Sequence, residues 1–175
     1  MANDTTTGAT AATLGGRRLV RDADFADVHR IYMDPAVVPF LGYDPMPKDE
    51  FRPVFDDLVC SGCFYAWEVD GAFAGFYRAY RLPGRQRHVA YLGTLAVDPA
   101  FHGCGVARAM FEDAITRLRG EGVIRIELLV EADNPRAIAF YRRYGFETEG
   151  VLRRAYRRAG EDFYVDEVQM ALLVD

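Results

Sequence analysis

The chain has 175 residues, half of them apolar, enough for one substantial hydrophobic core and too few for two ordinary domains joined by a linker. Its 21 Lys and Arg against 26 Asp and Glu give a formal net charge of -5, which argues against a nucleic-acid partner held by general phosphate attraction. No apolar run is long enough to span a bilayer and the first residues lack a basic-then-apolar leader, so no membrane partner is expected and the chain reads as cytoplasmic.

Three cysteines at irregular spacing fit a reducing compartment better than a disulfide framework. Cys60 and Cys63 form a C-x-x-C, but the pair follows a predicted helix instead of opening one and has no second ligand pair. Neither redox chemistry nor a metal site is expected there.

Residues 1–15 are small and polar, without the apolar periodicity that offsets the entropy of ordering. They are expected to be a flexible tail ahead of one domain over 16–175. A short strand from Arg18 leads to Asp22-Ala23-Asp24, which is expected to cap a helix carrying Phe25, Val28, Ile31 and Tyr32. Prolines at 35, 39, 45, 47 and 53 break up the next stretch, with a second helix over 48–59. Residues 64–69 and 72–80 flank Asp70-Gly71, a tight hairpin signal. Over 88–97, Val89, Tyr91, Gly93, Leu95 and Val97 alternate against the other face as in a buried strand.

From Val106, the residues Ala107, Met110, Phe111, Ala114, Ile115 and Leu118 recur at helical spacing up to Gly120 and Gly122. A buried strand is predicted over 124–130. Asn134-Pro135 then places a capping side chain before a proline at the first helical position, and Ala137, Phe140, Tyr141 and Tyr144 form the inward stripe of a short helix closed by Gly145. Two more strands, over 146–156 and 163–173, surround a turn containing Gly160. This order predicts an α/β domain with a mixed central sheet flanked by helices.

The most informative segment runs from a strand end at Val97 through Gly103 and Gly105 directly into a helix. The first N–H groups of a helix have no intrahelical partner and sit at the positive end of its dipole, while glycines let backbone approach a phosphate. Alone, such glycines need serve only the turn. A P-loop would require Gly-Lys-Ser/Thr where Val106, Ala107 and Arg108 follow Gly105. A dinucleotide fingerprint would require Gly or Ala at Arg108, and too few residues follow Glu127 for the second half of that fold.

Val97-Asp98-Pro99, followed after two residues by His102-Gly103-Cys104-Gly105-Val106-Ala107, resembles the acetyl-CoA pyrophosphate motif of the GNAT family of N-acetyltransferases. It departs at His102, where Gln or Arg is usual; backbone and ring N–H groups there would still serve an anion. Asn134-Pro135-Arg136-Ala137-Ile138-Ala139-Phe140-Tyr141, continuing to Tyr144-Gly145-Phe146, is similar to the family's second cofactor-contacting helix. The resemblance covers about 18–173. Over 149–170 it is similar to a bacterial branch with amino-acid N-acetyltransferases and acetylators of protein N-termini.

The resemblance implies a single-domain GNAT fold, acetyl-CoA as co-substrate, and no metal. It assigns Leu95, Ala96 and Val97 to the pantetheine arm, with a main-chain N–H near Val97 directed at the acetyl oxygen. It assigns His102, Gly103, Cys104, Gly105, Val106, Ala107 and Arg108 to the pyrophosphate, and Asn134, Ala137, Phe140 and Tyr141 to the second helix's contacts. Tyr141 would be the general acid, giving its proton to the departing thiolate.

An α-amino group is already partly neutral near pH 7, so a water relay can suffice as base; Glu131 and Asp166 could order one. Arg153, Arg154, Arg157 and Arg158 read first as a solvated face near a turn. Cys104 reads as a small buried thiol. The acceptor pocket is expected from loops near 33–53 and 80–88.

The expected reaction is direct attack of a primary amine on acetyl-CoA in a ternary complex. The acceptor is taken as a small molecule such as an amino acid, with a protein N-terminus or lysine as the alternative. A non-catalytic acyl-CoA sensor is the alternative of another class. A homodimer is expected from family habit alone.

Overall fold

The computed structural model describes residues 14–174. The expected tail therefore lies outside the described residues up to position 13. Its last two residues are packed in place: the Trp67 indole N–H donates to the Leu14 carbonyl at 2.9 Å, and Gly15, at φ +87°, has no room for a side chain beside the Glu68 carbonyl.

The elements are β1 (Gly16–Leu19), α1 (Phe25–Tyr32), α2 (Lys48–Cys60), β2 (Phe64–Val69), β3 (Ala72–Arg81), β4 (Val89–Val97), α3 (Val106–Gly120), β5 (Arg125–Glu131), α4 (Pro135–Arg143), β6 (Glu147–Tyr156) and β7 (Val165–Leu173), with short 3-10 turns between some of them. The strands form one sheet in the order β1-β2-β3-β4-β5-β7-β6. Among the described residues only β4 and β5 pair in parallel; a parallel pair needs a long crossover, and α3 supplies it. The Asp70-Gly71 hairpin forms as the sequence predicts, with φ of 50° and 79° at its two turn residues.

Each face of the sheet carries its own core. Met110, Phe111, Ala114 and Leu118 of α3 pack with Trp67, Leu92, Ile126, Leu128 and Met170. On the opposite face Val28, Ile31 and Tyr32 of α1 and Phe51 and Phe55 of α2 pack with Phe64, Ala66, Phe76 and Ala96. The apolar periodicity of α3 is therefore spent on one side of the sheet and that of α1 and α2 on the other.

Three local expectations are corrected. Asp24 does not cap α1; its carboxylate takes Arg18 through two nitrogens at 2.6 and 2.8 Å and the Arg21 N–H at 2.7 Å. The charged, bidentate partner outcompetes the orphan helix N–H groups. The last strand begins at Val165, leaving Phe163 and Tyr164 exposed in the turn.

The simple alternation along β4 also fails. Tyr77 is opposite Leu95 and Arg78 is opposite Gly93, so Thr94 is an extra residue bulged out of the ladder. Its φ of 47° is left-handed, unusual for a β-branched residue. Leu92 and Val97 consequently face the same core although they are an odd number of positions apart.

Candidate active site

β4 and β5 are paired only from Val89 opposite Arg125 to Tyr91 opposite Glu127, although they run on to Val97 and Glu131. Beyond Tyr91 the strands splay, and the facing edge of β4 is left without its sheet partner. The split opens into a cleft of about 830 Å³, walled by β4 on one side and by β5 and α4 on the other, with the start of α3 at one end.

The residues assigned to an acyl-CoA by sequence fall mostly along this cleft. Leu95, Ala96 and Val97 line it from β4, Gly103, Gly105, Val106, Ala107 and Arg108 from the loop and first turn of α3, and Asn134, Ala137, Phe140 and Tyr141 from α4. His102 lines it too. Cys104 does not, and it is exposed instead of buried, its thiol 3.7 Å from the His102 carbonyl. Loop glycines on either side turn that side chain outward.

The α3 end fits a pyrophosphate. Gly103 and Gly105 have φ of 78° and 84°, conformations that glycine adopts without strain. The first intrahelical bond runs from the Ala109 N–H to the Gly105 carbonyl at 3.0 Å, and no side chain caps the helix. The N–H groups of Val106, Ala107 and Arg108 therefore point out of the helix start unpaired within it. The expected contribution of His102 is corrected: its backbone N–H is given to the Pro99 carbonyl at 3.1 Å and its ring Nε2 lies 3.0 Å from the Val97 carbonyl. That histidine ties the loop to the end of β4.

Two further contacts hold the loop. Asp98 is buried, accepts the Ala100 N–H at 2.9 Å and pairs with Arg30 of α1 at 2.7 Å. On the opposite wall the Asn134 oxygen caps α4 by accepting the Ala137 N–H at 3.0 Å, which leaves its NH2 group for the cleft. Phe111 anchors α4 from below, its ring 5.1 Å from Phe140 and 4.7 Å from Tyr144.

At the far end the polar groups converge. Desolvation, reinforced by Glu131 and Tyr91, raises the Tyr141 phenol well above a free tyrosine, so it holds its proton at neutral pH. Glu131, at the end of β5, is buried, and that burial together with Glu167 raises its carboxyl pKa. Its Oε1 accepts the Tyr156 hydroxyl at 3.2 Å. Tyr91, missed by sequence reasoning, has a desolvated phenol pushed up to about 12 that contacts the Leu129 backbone across the split. Nothing in its alternating strand pattern distinguishes it from a packing aromatic.

Other expected residues serve the scaffold. Asp166 accepts the Arg154 N–H at 2.7 Å, fixing the bulge of β6 where Arg154 has φ 55°. Arg158 is not a solvated charge: it holds Asp133 with two nitrogens at 2.7 and 3.1 Å and donates to the Pro39 carbonyl at 3.0 Å. It thereby fastens the α1–α2 segment, whose Ala36, Val37, Phe40 and Leu41 form part of the cleft wall. The loop over 80–88 contributes none of the lining. Among the described residues, no group of three or more His, Cys, Asp and Glu side chains could hold a metal ion, and no helix is long and apolar enough to cross a membrane.

A mixed sheet split between two parallel strands, with an anion-binding helix start at one end and a phenol and a carboxylate at the other, defines an acyl-CoA-dependent transferase domain. The Acetyltransferase (GNAT) family model matches residues 25–146, which span both loop glycines, Glu131 and Tyr141, and the chain belongs to that family. It is an acetyltransferase, and acetyl-CoA is the acyl donor this family uses.

Two relatives are named for acetylation of different acceptors. The N-alpha-acetyltransferase RimI of Mycobacterium tuberculosis is 35% identical over 129 residues, 71% of this chain and 76% of its own. The L-amino acid N-acetyltransferase AaaT of Escherichia coli K12 is 33% identical over 160 residues, 85% of this chain and 91% of its own. In fold, the chain superposes on a phosphinothricin acetyltransferase from Sinorhizobium meliloti in complex with AcCoA with a TM-score of 0.72 at 20% identity, covering 92% and 89% of the two chains.

Proposed function

We propose that the chain is a cytoplasmic enzyme that transfers acetyl from acetyl-CoA to the primary amine of a small molecule such as an amino acid, by direct attack in a ternary complex. The observation that carries this reading is that Glu131 and Tyr141 stand together on one wall of the split at its open end, with unpaired helix N–H groups at the other end. The donor supplies a thioester carbonyl as the electrophile. Main-chain N–H groups on the unpaired edge of β4 near Val97 orient and polarise that carbonyl.

Glu131, or a water that it orders, takes a proton from the acceptor's ammonium, and the neutral amine that remains attacks the thioester carbonyl. Tyr141 donates its proton at the sulfur that leaves. The 85% of this chain aligned with an L-amino acid N-acetyltransferase supports a small acceptor. The relationship to an N-alpha-acetyltransferase supports a peptide N-terminus as the second reading.

Thiol release from acetyl-CoA, measured against amino acids, polyamines, aminoglycosides and N-terminal peptides, tests the proposal. Wild type is expected to turn over free amino acids, and Tyr141→Phe to lose roughly 10²- to 10⁴-fold in kcat while still binding acetyl-CoA. Turnover of peptides alone would select the second reading. Tight acetyl-CoA binding without turnover of any amine would make the chain a sensor and refute the transfer.

A further inference from the structure

Arg78 of β3 has no counter-charge among the described residues. It lies two positions from Phe76 and so on the sheet face that α1 covers, where Phe76 stacks on Tyr32 with centroids 5.7 Å apart. Its guanidinium sits 4.7 Å from the centre of the Tyr80 ring. Its Nε is buried without a hydrogen-bond partner, and the side chain makes no ion pair among the described residues. A guanidinium nitrogen withdrawn from water without an acceptor is unfavourable unless an anion arrives to meet it.

The position of this cation is informative. Its ladder neighbour on β4 is Gly93, beside the bulged Thr94, and Gly93, Thr94 and Leu95 line the cleft. One strand spacing, about 4.8 Å, separates the backbone of Arg78 from that wall. The Tyr32 hydroxyl bonds the Leu41 carbonyl at 2.7 Å and interacts with Thr94, bringing the α1–α2 segment into the same corner.

Two carboxylates stand on the other side of β4, with the Arg158 guanidinium linked to one of them, Glu131, through the Tyr156 hydroxyl. Glu131 and Glu167 are ladder partners across β5 and β7, and Glu167 makes no ion pair or hydrogen bond among the described residues. Tyr91 stands between the two sides, its ring 5.6 Å from Tyr80. A cation on β3 and two carboxylates on β5 and β7 thus lie on either side of β4, whose Gly93, Thr94 and Leu95 line the cleft together with Glu131.

We infer that this corner is an acceptor site for a zwitterion, in which Arg78 receives the carboxylate of an α-amino acid while Glu131 and Glu167 draw its ammonium; this rests on the transfer reading above and deepens it. In an α-amino acid the carboxylate is two bonds from the amine nitrogen, so an amine delivered beside Thr94 and Leu95 leaves its carboxylate toward β3. A peptide N-terminus presents a neutral amide at that point and leaves Arg78 uncompensated. A polyamine would bring a second cation to it.

The test uses the whole chain and compares steady-state thiol release for free L-amino acids, their carboxamides and short peptides beginning with the same residue. Wild type is expected to favour the free acid over its amide by at least about tenfold in kcat/KM, one well-placed charged contact being of that size. Arg78→Gln is expected to collapse this ratio toward one, chiefly by raising KM for the free acid, and Arg78→Lys to restore part of it.

The comparison of acid and amide on the wild-type protein needs no variant to fold. A wild type that prefers amides or peptides, or an Arg78→Gln protein that keeps the preference for the acid, overturns the inference while leaving acetyl transfer intact. Absence of thiol release with every amine overturns the transfer reading and the inference with it.

Discussion

The Tyr156 hydroxyl at the end of β6 donates to Glu131 Oε1 on β5 at 3.2 Å, reaching over the intervening β7. A hydrogen bond to the ionised carboxylate favours that form, so it opposes the rise in the Glu131 pKa that burial and Glu167 impose. The wild-type pH–rate profile should have an ascending limb above the usual carboxylate range, because only ionised Glu131 can accept a proton. In Tyr156→Phe the limb should move to higher pH, because the hydrogen bond that favours the ionised carboxylate is lost. A limb that stays in place would mean that Glu131 is not the group titrating in kcat/KM.

Phe111 is fully buried beneath α4, in ring contact with Phe140, Tyr141, Tyr144 and Phe146. Phe111→Ala removes the floor under that helix and is expected to cost about 3–5 kcal/mol of stability, a drop of roughly 10 °C in Tm for a domain of this size. Because α4 carries both Asn134 and Tyr141, the variant should also bind acetyl-CoA more weakly at temperatures where it remains folded. A loss below about 1 kcal/mol in denaturant titration would contradict this account of how α4 is held.

Acid should destabilise the fold through identifiable pairs. Burial opposes ionisation of Asp24, but the Arg18 guanidinium and the Arg21 N–H hold its carboxyl below the usual range. The Arg158 guanidinium does the same for Asp133, and the Arg125 guanidinium for Glu149. For groups whose folded pKa is depressed, the stabilisation is present above the unfolded values of about 3.9 and 4.3 and is lost as pH falls through the folded ones. Denaturant midpoints should therefore fall steeply below about pH 4, whereas between about pH 7 and 5 the buried Glu131 and Glu167, whose folded pKa values are raised, add stability as pH falls. Asp24→Asn should cost about 1–2 kcal/mol at pH 7, as for a charge-assisted hydrogen bond, and flatten the acid limb; an unchanged limb would rule Asp24 out as a source of acid sensitivity.

Features legible in the sequence are those set within a few residues of chain. Asp70-Gly71 fixes its hairpin because both turn residues must take positive φ. Asn134-Pro135 marks the start of α4 because the cap and the missing N–H both act on the first turn. Gly103, Gly105 and the apolar stripe of α3 announce a loop that enters a helix, because the φ values and the 3.6-residue period are local quantities. His102 shows the limit of such reading. Its type suggested a donor for an anion, whereas its position gives both N–H groups to carbonyls five residues away or less.

Sequence alone determined the fold class and the element order, since both follow from residue type and short-range periodicity, and the acyl-CoA motif followed from the resemblance of residues 97–107 and 134–146 to the GNAT family. Only the tertiary structure decided where β4 parts from β5, that Thr94 leaves the ladder, that Asp24 serves Arg18 instead of capping α1, and that Arg158 is spent on Asp133 and Pro39. It also decided that Glu131 meets Tyr156 while Arg78 meets no carboxylate among the described residues. Those outcomes depend on which side chains arrive from strands and loops distant along the chain. A charged group takes the partner that the closed fold brings within about 3 Å, and no local pattern encodes that distance.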